Sequence, residues 1–152
     1  MRSILLTIAL AAAIAAPCSA HGKADPAVVA RVNQLLDAYS QKQIGTVMAM
    51  LDPGAAMYGT ALKEFYTTPR GIAALLSSDY RQWNSSRFGA PRNVTTEASG
   101  DLQSVFFDAP FAIVTAEGRK RAFTVRFATV WHRDPAGQWR LIQSMNAVVI
   151  VD

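Results

Sequence analysis

The chain has 152 residues, a formal charge of +4 and 51% hydrophobic residues, enough apolar content for one packed domain and too much for a chain dominated by disorder. One Cys excludes a disulfide framework, and two His exclude a zinc site of the Cys/His type. The charge excess is small and spread out; its one run, Arg119-Lys120-Arg121, falls where a turn is expected, so no nucleic-acid partner is implied.

Met1-Arg2-Ser3 is a short basic start, followed by an uncharged stretch from Ile4 to Ala16 and then by Pro17-Cys18-Ser19-Ala20. This is the layout of a secretory signal peptide over residues 1–20, with small residues ahead of a cleavage site after Ala20. The apolar stretch is shorter than the roughly 20 residues that a spanning helix needs, so the reading is export, periplasmic or secreted, without stable membrane insertion. Pro17 directly before Cys18 does not suit a lipidated cysteine. Residues 21–25 read as a short disordered N-terminus and 26–152 as the folded domain.

Asp25-Pro26 signals a helix start, a capping carboxylate followed by Pro where its missing N–H costs nothing. Val28, Val32, Leu35, Leu36 and Tyr39 then form one stripe of an amphipathic helix that ends near Lys42. Residues 45–51 read as a short second helix closed by Asp52-Pro53-Gly54, and 55–59 as a short strand. Thr68-Pro69 opens a third helix with the stripe Ile72, Leu75, Leu76 and Trp83, expected to run to about Ser86. After Gly89 the apolar period becomes two: 92–99, 102–115, 121–133 and 138–151 are strands separated by turn chemistry, which predicts antiparallel neighbours. Pro110 implies a bulge or an edge in the second of these. Helices first and strands afterwards predict an α+β domain with its helices on one face of a curved sheet.

Three stretches carry a resemblance: Leu51-Asp52-Pro53-Gly54-Ala55-Ala56-Met57-Tyr58-Gly59-Thr60 with Glu64 and Gly71; Phe127-Ala128-Thr129-Val130-Trp131; and Gly137-Gln138-Trp139-Arg140-Leu141-Ile142 with Asn146. From Pro26 to Val151 the chain resembles the SnoaL-like branch of the nuclear transport factor 2-like superfamily. The resemblance implies a cone-shaped barrel, three helices closing over a strongly bent, mainly antiparallel sheet with a pocket between them, and a dimer. It does not fix a function, because members include isomerases, dehydratases, cyclases, hydrolases and association modules. Where relatives carry His on the last strand, this chain has Gln143 and Met145.

Asp79 lies four residues after Leu75 on the stripe that faces the sheet, where a partly desolvated carboxylate can have a raised pKa and act as a base, or can simply tie helix to sheet. The resemblance puts Thr60 and Glu64 at the pocket mouth, Glu64 being equally able to bond backbone N–H groups of its own loop. Tyr58 and Tyr66 alternate with apolar neighbours, and Tyr58 with Trp83 is expected in the pocket wall. Alternation puts Gln143 and Met145 on the face of Trp139 and Leu141, lining either the cavity or a dimer interface, and turns Arg126 away from Phe123, Val125 and Phe127. His132 falls at a hairpin tip, so no nucleophile–His–Asp set can be built, and no metal or cofactor is implied. Val148 with Ile150 and Val149 with Val151 make the last strand apolar on both faces, which predicts a homodimer joined through the sheet.

The expected function is therefore a pocket for a small, mainly apolar molecule with Tyr58, Thr60, Glu64, Asp79, Trp83, Gln143 and Met145 around it. A cofactor-independent isomerase, lyase or hydrolase with Asp79 as general base and a non-catalytic dimeric association module are the alternatives.

Overall fold

Asp25 caps the first helix as expected, accepting from the Ala27 N–H at 2.9 Å, and its carboxylate also receives the Trp139 indole N–H at 3.1 Å. The start of α1 (Pro26–Ser40) is thereby tied to the far end of the chain. The computed structural model describes residues 25–61 and 63–149, so the expected signal peptide, residues 21–24, Ile150 and Val151 lie outside the described residues. After α1 come α2 (Ile44–Met50), β1 (Leu51–Tyr58), β2 (Phe65–Tyr66), α3 (Pro69–Gln82), β3 (Trp83–Phe88), β4 (Arg92–Ser99), β5 (Leu102–Thr115), β6 (Lys120–Arg133) and β7 (Trp139–Val149).

The strands form one sheet in the order β2-β1-β7-β6-β5-β3, with β4 also paired to β5. Among the described residues only β1 and β7 pair in parallel. The sheet curves around the helices without closing: it has the expected α+β layering and mainly antiparallel pairing, but it is an open sheet, not a barrel. Helix stripes and inner sheet face meet in one core. Val28, Val32 and Leu36 of α1 and Ile72 and Leu76 of α3 are buried with Val105, Phe107, Ala109, Trp131 and Leu141 of the sheet.

Three expectations need correction. The third helix stops at Gln82, not Ser86, because Asn84, Ser85 and Ser86 are weak helix formers and the edge of β5 offers them a ladder, with Ser85 opposite Val114 and Phe88 opposite Phe111. Pro110 causes no bulge in its pairing with β6. It sits where the neighbour of β5 changes from β4 to β3, and its carbonyl accepts from the Gly89 N–H at 2.8 Å, so its nitrogen points into that gap and no ladder bond is lost. The third correction has the largest consequence. Val130 is opposite Gln143 but Trp131 is opposite Leu141, leaving Ile142 as an extra residue in β7. That bulge reverses parity along the rest of the strand.

Candidate functional site

A cavity of about 180 Å³ lies between α1, α3 and the inner face of the sheet. Helical spacing supplies its roof. Leu35 and Tyr39 are the part of the α1 stripe that looks past the packed core, and Leu75 and Asp79 are their counterparts on α3. Its walls are rings: Tyr39 stands 5.5 Å from Phe88 and 6.1 Å from Trp83, Trp83 5.3 Å from Phe111, and Phe88 stacks on Phe111 at 4.1 Å. Trp131 and Thr129 close the floor. Two wider depressions, of about 530 and 550 Å³, lie on the outside, one beside α1 and α2 with a largely polar rim and one on the outer sheet face.

The polar group at the centre of the site is Asp79, whose Oδ2 accepts from the Tyr39 hydroxyl at 2.7 Å. Burial raises its pKa above the ordinary 3.8; the Tyr39 hydrogen bond works against that shift and the negative charge of Glu64 adds to it. Tyr39 is pushed up by burial and by the Asp79 charge, so it stays a protonated phenol that donates. Next to the pair, the Tyr80 hydroxyl is buried and has no hydrogen-bond partner among the described residues. The arrangement provides a partly desolvated carboxylate, held by a phenol, facing a mainly apolar, ring-lined space.

Thr60, Glu64, Asp79 and Trp83 all border the cavity. Glu64 also closes its own loop, its Oε2 accepting from the Ala61 N–H at 2.9 Å while its backbone carbonyl accepts from Gly59 at 2.8 Å. A side chain at Gly59 would overlap that carboxylate, which explains the glycine there. Tyr66 is half-buried and packs on the core below Gly71. Arg126 points outward as alternation requires, onto Asp108 at 2.8 Å. His132 does not line the cavity.

Tyr58, Gln143 and Met145 are not in the cavity. Met145 pairs with Tyr58, which stacks on Phe65 at 4.4 Å, and all three side chains lie on the outer face. For Gln143 and Met145 the cause is the bulge at Ile142, which turns Ser144, Asn146 and Val148 inward instead. Tyr58 is displaced by the same ladder, since Met57 is opposite the inward Ser144. Sequence reasoning therefore missed Ser144 and Asn146, although Asn146 stands in the third motif. It also missed the role of Tyr39, which needs the approach of α1 to α3 to be seen. Among the described residues no three His, Cys, Asp or Glu side chains cluster as a metal site would require.

A comparison with curated protein sequences yields no match. The fold has many likenesses among solved structures. A candidate scytalone dehydratase from Novosphingobium aromaticivorans superposes with a TM-score of 0.75 at 9% identity, over 82% of this chain and 83% of that one. A hexachlorocyclohexane dehydrochlorinase from Novosphingobium barchaimii gives 0.73 at 15% identity, over 82% and 86%. A candidate calcium/calmodulin dependent protein kinase II association domain from Xanthomonas campestris gives 0.71 at 15%, over 80% and 85%. Identities this low speak for the fold alone, but the model of the SnoaL-like domain matches residues 28–150, nearly the whole folded part. The chain belongs to the SnoaL-like family, and its fold is that of a nuclear transport factor 2-like protein.

Proposed function

We propose that this domain binds a small, mainly apolar molecule in the cavity between α1, α3 and the sheet, oriented by the Asp79–Tyr39 pair. The supporting observation is that pair itself: a carboxylate with one hydrogen-bond partner among the described residues, turned toward a ring-lined space, where a purely structural carboxylate would be expected to be fully satisfied. Thr60 and Asn146 are further polar groups that line the cavity. Titration with ring-sized molecules, followed through Trp83 fluorescence, tests the reading. No response to any of them, from the wild-type protein, would refute it.

The raised pKa of Asp79 favours one second reading, an isomerase, lyase or hydrolase without cofactor in which Asp79 takes a proton from the ligand. Two of the structural likenesses bear dehydrochlorinase and dehydratase names, which is consistent with such chemistry. An NMR titration separates the two readings: an Asp79 midpoint of about 4 leaves binding alone, and one of about 6–7 supports a base. The same residue should show itself in stability. A carboxyl whose folded pKa lies above its unfolded 3.8 binds more protons when folded, so stability falls as pH rises from there through the raised value. Asp79→Asn keeps an acceptor for Tyr39 and removes the charge. It should stabilise the fold at neutral pH and abolish that slope. A variant that melts lower than wild type would mean that Asp79 serves the fold and not a ligand.

The outer face of the sheet supports a homodimer, the expectation drawn from the last strand, although Val148 turns out to face the cavity. Met145 (55% exposed), Phe106 (47%), Tyr58 (47%) and Phe65 (51%) leave large apolar side chains in water on or beside that face. The charged group among them is already neutralised: Asp108 accepts from Arg126 at 2.8 and 3.1 Å and from Asn93 at 3.0 Å, and these bonds hold its pKa down to about 2. Light scattering at micromolar concentration should give twice the monomer mass, and Met145→Glu should return it to the monomer value. Export with loss of residues 1–20 belongs to the same proposal, and N-terminal sequencing of the mature protein should begin at or near His21.

A further inference from the structure

The charge inventory of the cavity narrows the ligand class further, provided that the pocket reading above holds. Two carboxylates, Asp79 and Glu64, border the cavity, and no Lys, Arg or His is among its described lining residues. A candidate counter-ion, Lys42, is engaged elsewhere: its Nζ donates to the carbonyls of Tyr80, Trp83 and Asn84, where α3 gives way to β3. Glu64 is partly satisfied by the Ala61 N–H, whereas Asp79 has the Tyr39 hydroxyl on one oxygen and, among the described residues, no hydrogen bond to the other. A partly buried carboxylate with no positive partner is an incomplete ion pair.

Around it stand the rings of Tyr39, Trp83, Phe88 and Phe111, in contact from one to the next. The faces of aromatic rings carry negative potential, so a ring-lined wall next to a carboxylate attracts cations and repels anions. The size fits one ring: about 180 Å³ compares with the apolar cavity of about 150 Å³ that takes up benzene in another protein. We infer that the cavity is built for a small organic cation, an amine of about one ring's size whose ammonium group meets Asp79 and whose apolar body lies among the rings.

Three probes of one shape decide the matter: benzylamine, benzyl alcohol and benzoate, titrated into the full-length mature protein at pH 7 and followed by calorimetry and Trp fluorescence. Benzylamine, protonated at that pH, should bind at least tenfold tighter than benzyl alcohol, and benzoate should not bind. The preference should weaken with salt and vanish in Asp79→Asn, where benzylamine should bind no tighter than benzyl alcohol. If benzyl alcohol binds as tightly as benzylamine, the cation inference is wrong and the apolar pocket stands. Binding of benzoate in preference to the amine would likewise overturn it. If none of the three binds, the pocket reading falls and this inference with it. The comparison of ligands on the wild-type protein is decisive even if the Asp79→Asn variant fails to fold.

Discussion

Trp131→Ala should cost about 3–5 kcal/mol of unfolding free energy, a large part of the roughly 5–15 kcal/mol that holds a domain of this size together. The indole is fully buried, and it sits on β6 opposite Leu141, just beside the bulge in β7. Its N–H donates to the Thr129 hydroxyl at 3.0 Å, and that hydroxyl donates to the Val105 carbonyl at 2.8 Å. Truncation therefore opens a void in the layer between core and cavity and strips Thr129 of a donor. Trp131→Phe keeps most of the volume and should lose about 1–2 kcal/mol, from the N–H bond and imperfect packing. Denaturant unfolding of both variants measures the difference. Because Trp131 also forms the cavity floor, the Ala variant, if folded, should admit a larger ligand than the wild type does. Equal stability of the two variants would mean that the hydrogen-bond relay and not the indole volume holds the floor.

The parts of this site that were legible in the sequence are those built on helices. A helix turns by a constant angle, so Leu35 and Tyr39 on α1 and Leu75 and Asp79 on α3 could be assigned to inward faces from spacing alone, and they do line the cavity. Strand parity is just as regular until one residue is inserted, and then every later assignment reverses. The single extra residue Ile142 exchanges Gln143 and Met145 for Ser144 and Asn146. Nothing in the composition of Leu141-Ile142-Gln143 marks a bulge, since all three residues are acceptable in a regular strand. The boundary at Trp83 was hidden for a related reason: the residue continues the helical stripe and yet also suits a strand, and the free edge of β5 decides between them. Tyr39 could be placed on the right face, but its bond to Asp79 depends on how closely α1 approaches α3, and no local pattern encodes that distance.

Lys42 has the second-largest expected effect, and it acts through a backbone conformation that normally calls for glycine. After α1 the chain makes a Schellman turn: the Gln43 N–H bonds the Ala38 carbonyl at 2.9 Å and the Lys42 N–H bonds the Tyr39 carbonyl at 3.0 Å. Lys42 itself has φ +59°, a left-handed conformation that costs a residue with a Cβ roughly 1–2 kcal/mol. What offsets the cost is the side chain, whose ammonium reaches across to the Tyr80, Trp83 and Asn84 carbonyls and ties the end of α1 to the α3–β3 junction. Lys42→Met keeps the strain and loses the ammonium, so it should destabilise by about 2–3 kcal/mol, the range of a hydrogen-bonded charge. Lys42→Gly also loses the ammonium but relieves the strain, so it should cost about 1 kcal/mol less than Met. Denaturant midpoints in the order wild type, Gly, Met would establish both terms, whereas Gly above wild type would show that the ammonium contributes less than the strain it imposes. Both variants should also loosen the Tyr39–Asp79 contact, because Tyr39 lies three residues before the turn and Asp79 four residues before Trp83. Weaker binding in the cavity should therefore accompany the lost stability, and more so for Met than for Gly.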